Sequence, residues 1–170
     1  MSKPWEHLPI YKKADEIRTL VDSVVEIAIE SIMNYSTEEE GKMIDDSINY
    51  LVDNSILIPA KIAEVSHDDA LYDQQMESAT LIRKAAKELL ADAKTLQDFG
   101  FKETEYLDVL RTEVEAFRVL FLEWIDTFDP WNYVTDNWGL FNPPNIDFDD
   151  DDLDDDNLPF DFDDSDDDLF

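Results

Sequence analysis

Along most of the chain, apolar residues recur in alternating steps of three and four, and polar breaks divide the pattern into four long segments. The first segment predicts a helix from about Leu8 to Asn34, with Ile17, Leu20, Val21, Val24, Ala28, Ile32 and Tyr35 as its stripe. Ser36-Thr37-Glu38-Glu39 has capping-box spacing and opens a second helix, whose seam is Ile44, Ile48, Leu51, Ser55, Ile58 and Ile62. A third helix, capped at Ser66 or Asp68, carries Tyr72, Gln75, Ala79, Ile82, Ala86, Leu89, Ala93 and Leu96, and Gly100 ends it. The fourth runs from about Glu103 to Phe128 on Leu110, Val114, Phe117, Phe121, Trp124 and Phe128, until Asp129-Pro130 stops it.

Four such helices joined by short turns predict an all-α fold, an antiparallel up-down four-helix bundle over residues 1–129. The first and fourth helices carry further apolar residues off the seam: Val25, Ile29, Leu107, Leu120, Leu122 and Ile125. This excess predicts either a subunit interface or a cover supplied within the chain by the aromatic segment 130–145, with Trp131, Tyr133, Trp138 and Phe141. Pro59 falls inside the second helix, where it removes a backbone hydrogen bond at a cost of about 3 kcal/mol and predicts a kink.

The pattern fails after residue 145. Residues 146–170 hold fourteen aspartates and no Lys or Arg, and they end Asp166-Asp167-Asp168-Leu169-Phe170. Such a segment cannot bury enough apolar surface to offset its ordering entropy and self-repulsion, which predicts a disordered acidic tail. It reads either as a solvated, solubilising end or as a ligand for a basic, apolar pocket. The placement of Leu158-Pro159-Phe160 and Leu169-Phe170 behind runs of Asp favours the ligand. That arrangement resembles the acidic tip of single-stranded-DNA-binding proteins, which implies docking on enzymes of replication and repair. The final element lacks the usual Pro before Phe170, and the internal copy has the Pro but not the chain end.

Charge narrows the partners. The formal charge is −30, and the tail's fourteen aspartates leave −16 for the body, so phosphate backbones are repelled on average and any nucleic-acid binding is weak and local. The chain has no Cys, which removes disulfides and thiolate metal sites. No apolar run reaches the roughly 18 residues of a membrane span, and the start has no signal-peptide core, so the expectation is a soluble, cytoplasmic protein without membrane contact.

Ile58-Pro59-Ala60-Lys61-Ile62-Ala63-Glu64 resembles the Ile-Pro-Ala-Asn-Ile-Ala-Glu-Gly signature of four-helix-bundle proteins encoded in ribosomal-RNA intervening sequences. The accessory variability proteins of diversity-generating retroelements belong to the same family. The resemblance spans about residues 8–127, including the turn Leu96 to Phe101, which is similar to the family's Leu-x-x-x-Gly-Tyr link. It implies a homo-oligomeric ring, typically a pentamer, and for retroelement members a reverse transcriptase and RNA as partners. Lys61 stands where Asn is usual, Val65-Ser66 replaces the Gly and basic residues, and the body is acidic where retroelement members are basic.

Little in the chain suggests catalysis. Glu64-x-x-His67 matches one ligand unit of a di-iron bundle, but such a site needs two units, and His7, the other histidine, has no Glu three residues before it. There is no Ser-His-Asp set, phosphate-cradling glycine loop or zinc spacing, and the tail's aspartates lack the Gly and closing Glu of a calcium loop. The expectation is a non-enzyme without cofactor or metal. A basic stripe does stand out: Arg83, Lys87 and Lys94 on the third helix, with Arg111 and Arg118 sharing a face of the fourth. It is either an exposed face laced with i to i+4 pairs or a strip that accepts nucleic acid or the chain's own tail.

These features predict first a non-catalytic oligomeric adaptor of nucleic-acid metabolism. Its docking residues would be Leu158, Pro159, Phe160, Asp166, Asp167, Asp168, Leu169 and Phe170, aimed at a protein with a basic pocket. A helical single-stranded-DNA-binding protein with a regulatory tail is the second expectation, and an acidic mimic of DNA the third.

Overall fold

The computed structural model describes residues 2–144, so the tail's expected disorder and its docking residues, Leu158 to Phe160 and Asp166 to Phe170, lie outside the described residues. Four helices make up the body: α1 (Pro9–Glu30), α2 (Glu38–Glu64), α3 (Tyr72–Asp98) and α4 (Thr104–Ile125), with a single 3-10 turn, Pro4–His7, ahead of them. No strand occurs among the described residues. Each helix packs on its two neighbours in the order α1, α2, α3, α4 and back to α1, most extensively between α2 and α3 and least between α3 and α4.

The contacts fix the directions. Ala28 and Ile29 near the end of α1 share a cleft with Ile44 and Ile48 near the start of α2. Lys61 and Glu64 at the end of α2 meet Gln74 and Ser78 at the start of α3. Leu8 and Ile10 lie beside Leu120 and Trp124. Successive helices therefore run antiparallel, as an up-down-up-down bundle.

The seam residues supply the core. Val21, Val24, Leu51, Ile62, Ile82, Leu89, Ala93, Leu96, Leu107 and Leu110 are all fully buried. At about 25 cal/mol per Å² of apolar surface, each large member contributes roughly 1.5–3 kcal/mol. Along α4 and just past its end the aromatic residues form a ladder, Phe117 to Phe121 to Trp124 to Phe128, and the last pair meets edge to face with centroids 4.8 Å apart. α2 runs unbroken through the buried Pro59. One turn earlier is Ser55, whose carbonyl loses its helical donor to that proline; its hydroxyl turns inward and donates to Val52 O at 2.8 Å.

The helix ends depart from the sequence pattern. α1 stops at Glu30, short of the expected Asn34, because Ser31 turns extended and its hydroxyl donates to Ile27 O at 2.6 Å. The stripe members Ile32 and Tyr35 then fall outside the helix and are exposed, while Met33 points into the core. The α2 cap is Thr37, which accepts from Glu40 N–H at 3.2 Å, and the Glu40 carboxylate reaches back to Ser36 N–H. α3 begins at Tyr72, not beside Ser66 or Asp68. Asn132 occupies its start: Tyr72 N–H donates to Asn132 O at 2.9 Å, and Asn132 Nδ2 donates to Ala70 O at 3.0 Å. At the other end Gly100 takes φ +89° and closes α3, as its position in the sequence predicts.

Two expectations about the off-seam residues also change. Val25 and Leu107 belong to the core, whereas Ile29 and Leu122 are exposed and Leu120 and Ile125 half-buried. Two bonds through Asn132 hold the start of the aromatic segment at the α2–α3 connection, and Ile29 and Leu122 are left uncovered. Beyond them Asp136 ties a small loop together, accepting from Trp138 N–H at 3.0 Å and Leu140 N–H at 2.9 Å. Asn142 closes that loop by a reciprocal pair of bonds to the Asp136 backbone. The loop presents Trp138 at 95% exposure.

Candidate functional site

α3 and α4 diverge enough to leave a groove of about 290 Å³ between them. Ala86 and Leu90 from α3 and Val114, Phe117, Phe121 and Leu122 from α4 form its apolar floor. On α3, Arg83 and Lys87 stand one turn apart, so both side chains rise along the same rim. On α4, Arg111, Glu115, Arg118 and Leu122 follow one another in steps of four, three and four, which puts the cations on the opposite rim. The volume is near the lower end of small-molecule pockets, about 300 Å³, and suits one or two inserted side chains.

The rims differ electrostatically. Arg118 holds Glu115 in a fork, Nε to both carboxylate oxygens at 3.0 Å and Nη2 to Oε1 at 2.6 Å. That contact keeps the Glu115 carboxyl below its usual range and raises the guanidinium. Arg111 is shared between Asp108 Oδ1 at 2.9 Å and Gln97 Oε1 at 2.5 Å. Arg83 and Lys87 make no ion pair among the described residues, and both are exposed. They place two unpaired cations on one turn beside an apolar floor, in a body of net charge −16 over residues 1–145.

The structure thus gathers four of the five predicted basic residues and leaves out the fifth. Lys94 lies further along α3, away from the groove lining, and pairs with Asp98 Oδ1 at 2.9 Å. The reading of an exposed face with i to i+4 pairs holds for Lys94. Helical spacing showed the basic stripe but not the apolar floor, which depends on how far α3 and α4 separate.

No comparable constellation surrounds the histidines. Glu64 is paired with Lys61 at 2.7 Å, and His67 sits exposed in the α2–α3 connection, where its carbonyl accepts from Ala70 N–H. Among the described residues no group of three His, Asp or Glu side chains could hold a metal, and no helix is long and apolar enough to cross a membrane.

Comparison with protein-family models, characterised proteins and solved structures finds no match to the chain.

Proposed function

We propose that the protein is a non-catalytic, oligomeric adaptor of nucleic-acid metabolism. In this reading the groove between α3 and α4 binds an anionic, partly apolar ligand, while the acidic tail docks on a basic partner. The observation that carries it is the pair Arg83 and Lys87, left without acidic partners above an apolar floor on an otherwise acidic bundle. The similarity of residues 58–64 to the intervening-sequence and retroelement bundle signature supports the same class, with self-association as a ring. Ile29, Ile32 and Tyr35, exposed at the α1–α2 connection, offer apolar surface for that association.

The tail half of the proposal places most of the affinity on few groups: the Leu169 and Phe170 side chains in a pocket, with Asp166 to Asp168 against a basic rim. Deleting Leu169-Phe170, which barely changes the tail's charge, abolishes recruitment of the basic partner in a quantitative pull-down, whereas Leu153→Ala leaves it intact. If recruitment survives the deletion and declines only as aspartates are neutralised in any order, the tail is a diffuse polyanion and the docking role fails. A single-strand-binding role is the second reading, favoured by the four cations along the groove.

A further inference from the structure

We propose that the groove between α3 and α4 is a peptide site whose occupant is the chain's own segment Asn157–Asp163, docked within the same molecule. The inference rests on the groove reading above and names its ligand. Three observations converge on this segment. The first is chemical: the groove has an apolar floor beside the unpaired cations Arg83 and Lys87 of α3, and Asn157-Leu158-Pro159-Phe160-Asp161-Phe162-Asp163 places three large apolar residues among acids, with Asp154 to Asp156 just ahead. In an extended chain Leu158, Phe160 and Phe162 fall on one side, and Asp161 and Asp163 on the other. Pro159 holds Leu158 extended. Phe160 and Phe162 enter the floor with Leu158 at its edge, and the unpaired side chains of Arg83 and Lys87 rise past them to the carboxylates.

The second observation is length. Leu158 to Phe162 spans about 13 Å when extended, and Arg83 to Leu90 spans about 10 Å of helix. The third is reach. The chain is tied to the start of α3 at Asn132, and Arg83 lies about 16 Å up α3 from that point at 1.5 Å per residue. The fourteen residues from Pro144 to Leu158 can bridge up to about 45 Å, so tethering gives a high effective concentration without strain. Leu169-Phe170 lies outside the docked segment and stays available to a partner.

Paramagnetic relaxation tests the docking in the full chain. The protein has no cysteine, so Ser165→Cys accepts a single nitroxide close to the segment. The amide signals of Arg83, Lys87, Leu90 and Leu122 lose most of their intensity, while those of Ile29 and Tyr50 keep theirs. Phe160→Ala with Phe162→Ala restores the groove signals, and so does Arg83→Glu with Lys87→Glu, whose positions are exposed and carry no core contact.

Four outcomes overturn the proposal, three of them in the spin-labelled ¹⁵N chain alone: no broadening, broadening spread equally to Lys12, Lys42 and Lys102, or groove broadening that persists without the two phenylalanines. Broadening that persists in full when spin-labelled, isotope-free protein is mixed with ¹⁵N protein carrying no nitroxide makes a second copy the source and overturns docking within one molecule. Loss of groove docking leaves partner recruitment by Leu169-Phe170 as a separate measurement, so the two readings fail independently.

Discussion

Lys13 on α1 donates to Glu113 on α4 at 2.8 Å while also holding Glu16 at 2.7 Å, and it is the only ion pair between two helices among the described residues. Both side chains of the interhelical pair are largely covered, at 21% and 29% exposure. The Glu113 and Glu16 carboxylates hold the Lys13 ammonium above its ordinary value, with burial opposing them. A lysine whose folded pKa is raised contributes stability fully below its unfolded value and loses it as pH climbs through the folded one. Lys13→Met and Glu113→Gln should therefore each cost about 1 kcal/mol at neutral pH, with the double variant little worse than either single one. Thermal melts should show the deficit of Lys13→Met fading as pH rises beyond 10.5. Additive losses in the double variant would mean that the pair is not coupled.

Asp92 on α3 shows the opposite balance. Burial raises its carboxyl above the ordinary value, Ser47 across the α2–α3 interface opposes this by hydrogen bonding, and Glu88 one turn away adds repulsion. Because the folded state holds that proton more tightly, the ionised form costs stability at neutral pH, and the cost is relieved as pH falls through the raised folded pKa. Asp92→Asn keeps a partner for Ser47 and should raise the melting temperature at pH 7, with the gain shrinking towards pH 4. A variant less stable than the parent at pH 7 would show that the Ser47 bond outweighs burial.

Gly100 works through backbone and space together. Its φ of +89° disfavours any side chain, and an added Cβ would stand 2.5 Å from Asn34 Nδ2. Asn34 in turn anchors the α1–α2 connection by donating its N–H to Phe99 O at 2.7 Å. Gly100→Ala should cost about 1–3 kcal/mol, since strain and the clash act at one point. Chemical denaturation that gives an unchanged midpoint would remove this role.

How much of this was legible before the fold was known follows from the range of each interaction. The seams, the fold class and the Gly100 stop are local, written in steps of three and four and in one permissive residue. Long-range contacts set the remaining boundaries. α3 opens at Tyr72 because Asn132, sixty residues later in sequence, takes up the Tyr72 N–H. Val25 and Ile29 have the same i to i+4 relation on α1, yet one is core and the other surface, because the neighbouring helices cover only part of that face. The basic residues were visible as a stripe, but Lys94 could be separated from Arg83 and Lys87 only once the α3–α4 groove existed.

That separation of Val25 from Ile29 changes how self-association is tested. Val25→Glu would bury a charge in the core, at a cost of several kcal/mol, and should unfold the bundle. Ile29→Glu with Ile32→Glu adds charges at exposed positions and should give smaller particles that stay fully helical. Light scattering on the wild type that returns the monomer mass would rule out the oligomer, and an assembly unaffected by the pair would move the interface elsewhere.

The groove also makes a selective prediction for nucleic acid. Removing residues 146–170 takes away fourteen tethered negative charges, so affinity for an oligodeoxythymidine should rise at low salt. The described helices and their core lie wholly within what remains. If phosphates then occupy the groove rim, Arg83→Ala with Lys87→Ala should erase most of the gain and flatten the slope of log K against log salt by about 1.4, at about 0.7 per contact for a single strand. Lys94→Ala should change neither, because its ammonium is engaged by Asp98 outside the groove. Fluorescence anisotropy separates the cases. Equal effects of all three substitutions would indicate a diffuse basic face in place of a groove, and a truncated protein that ignores single strands at low salt would end the single-strand-binding reading while leaving the peptide site intact.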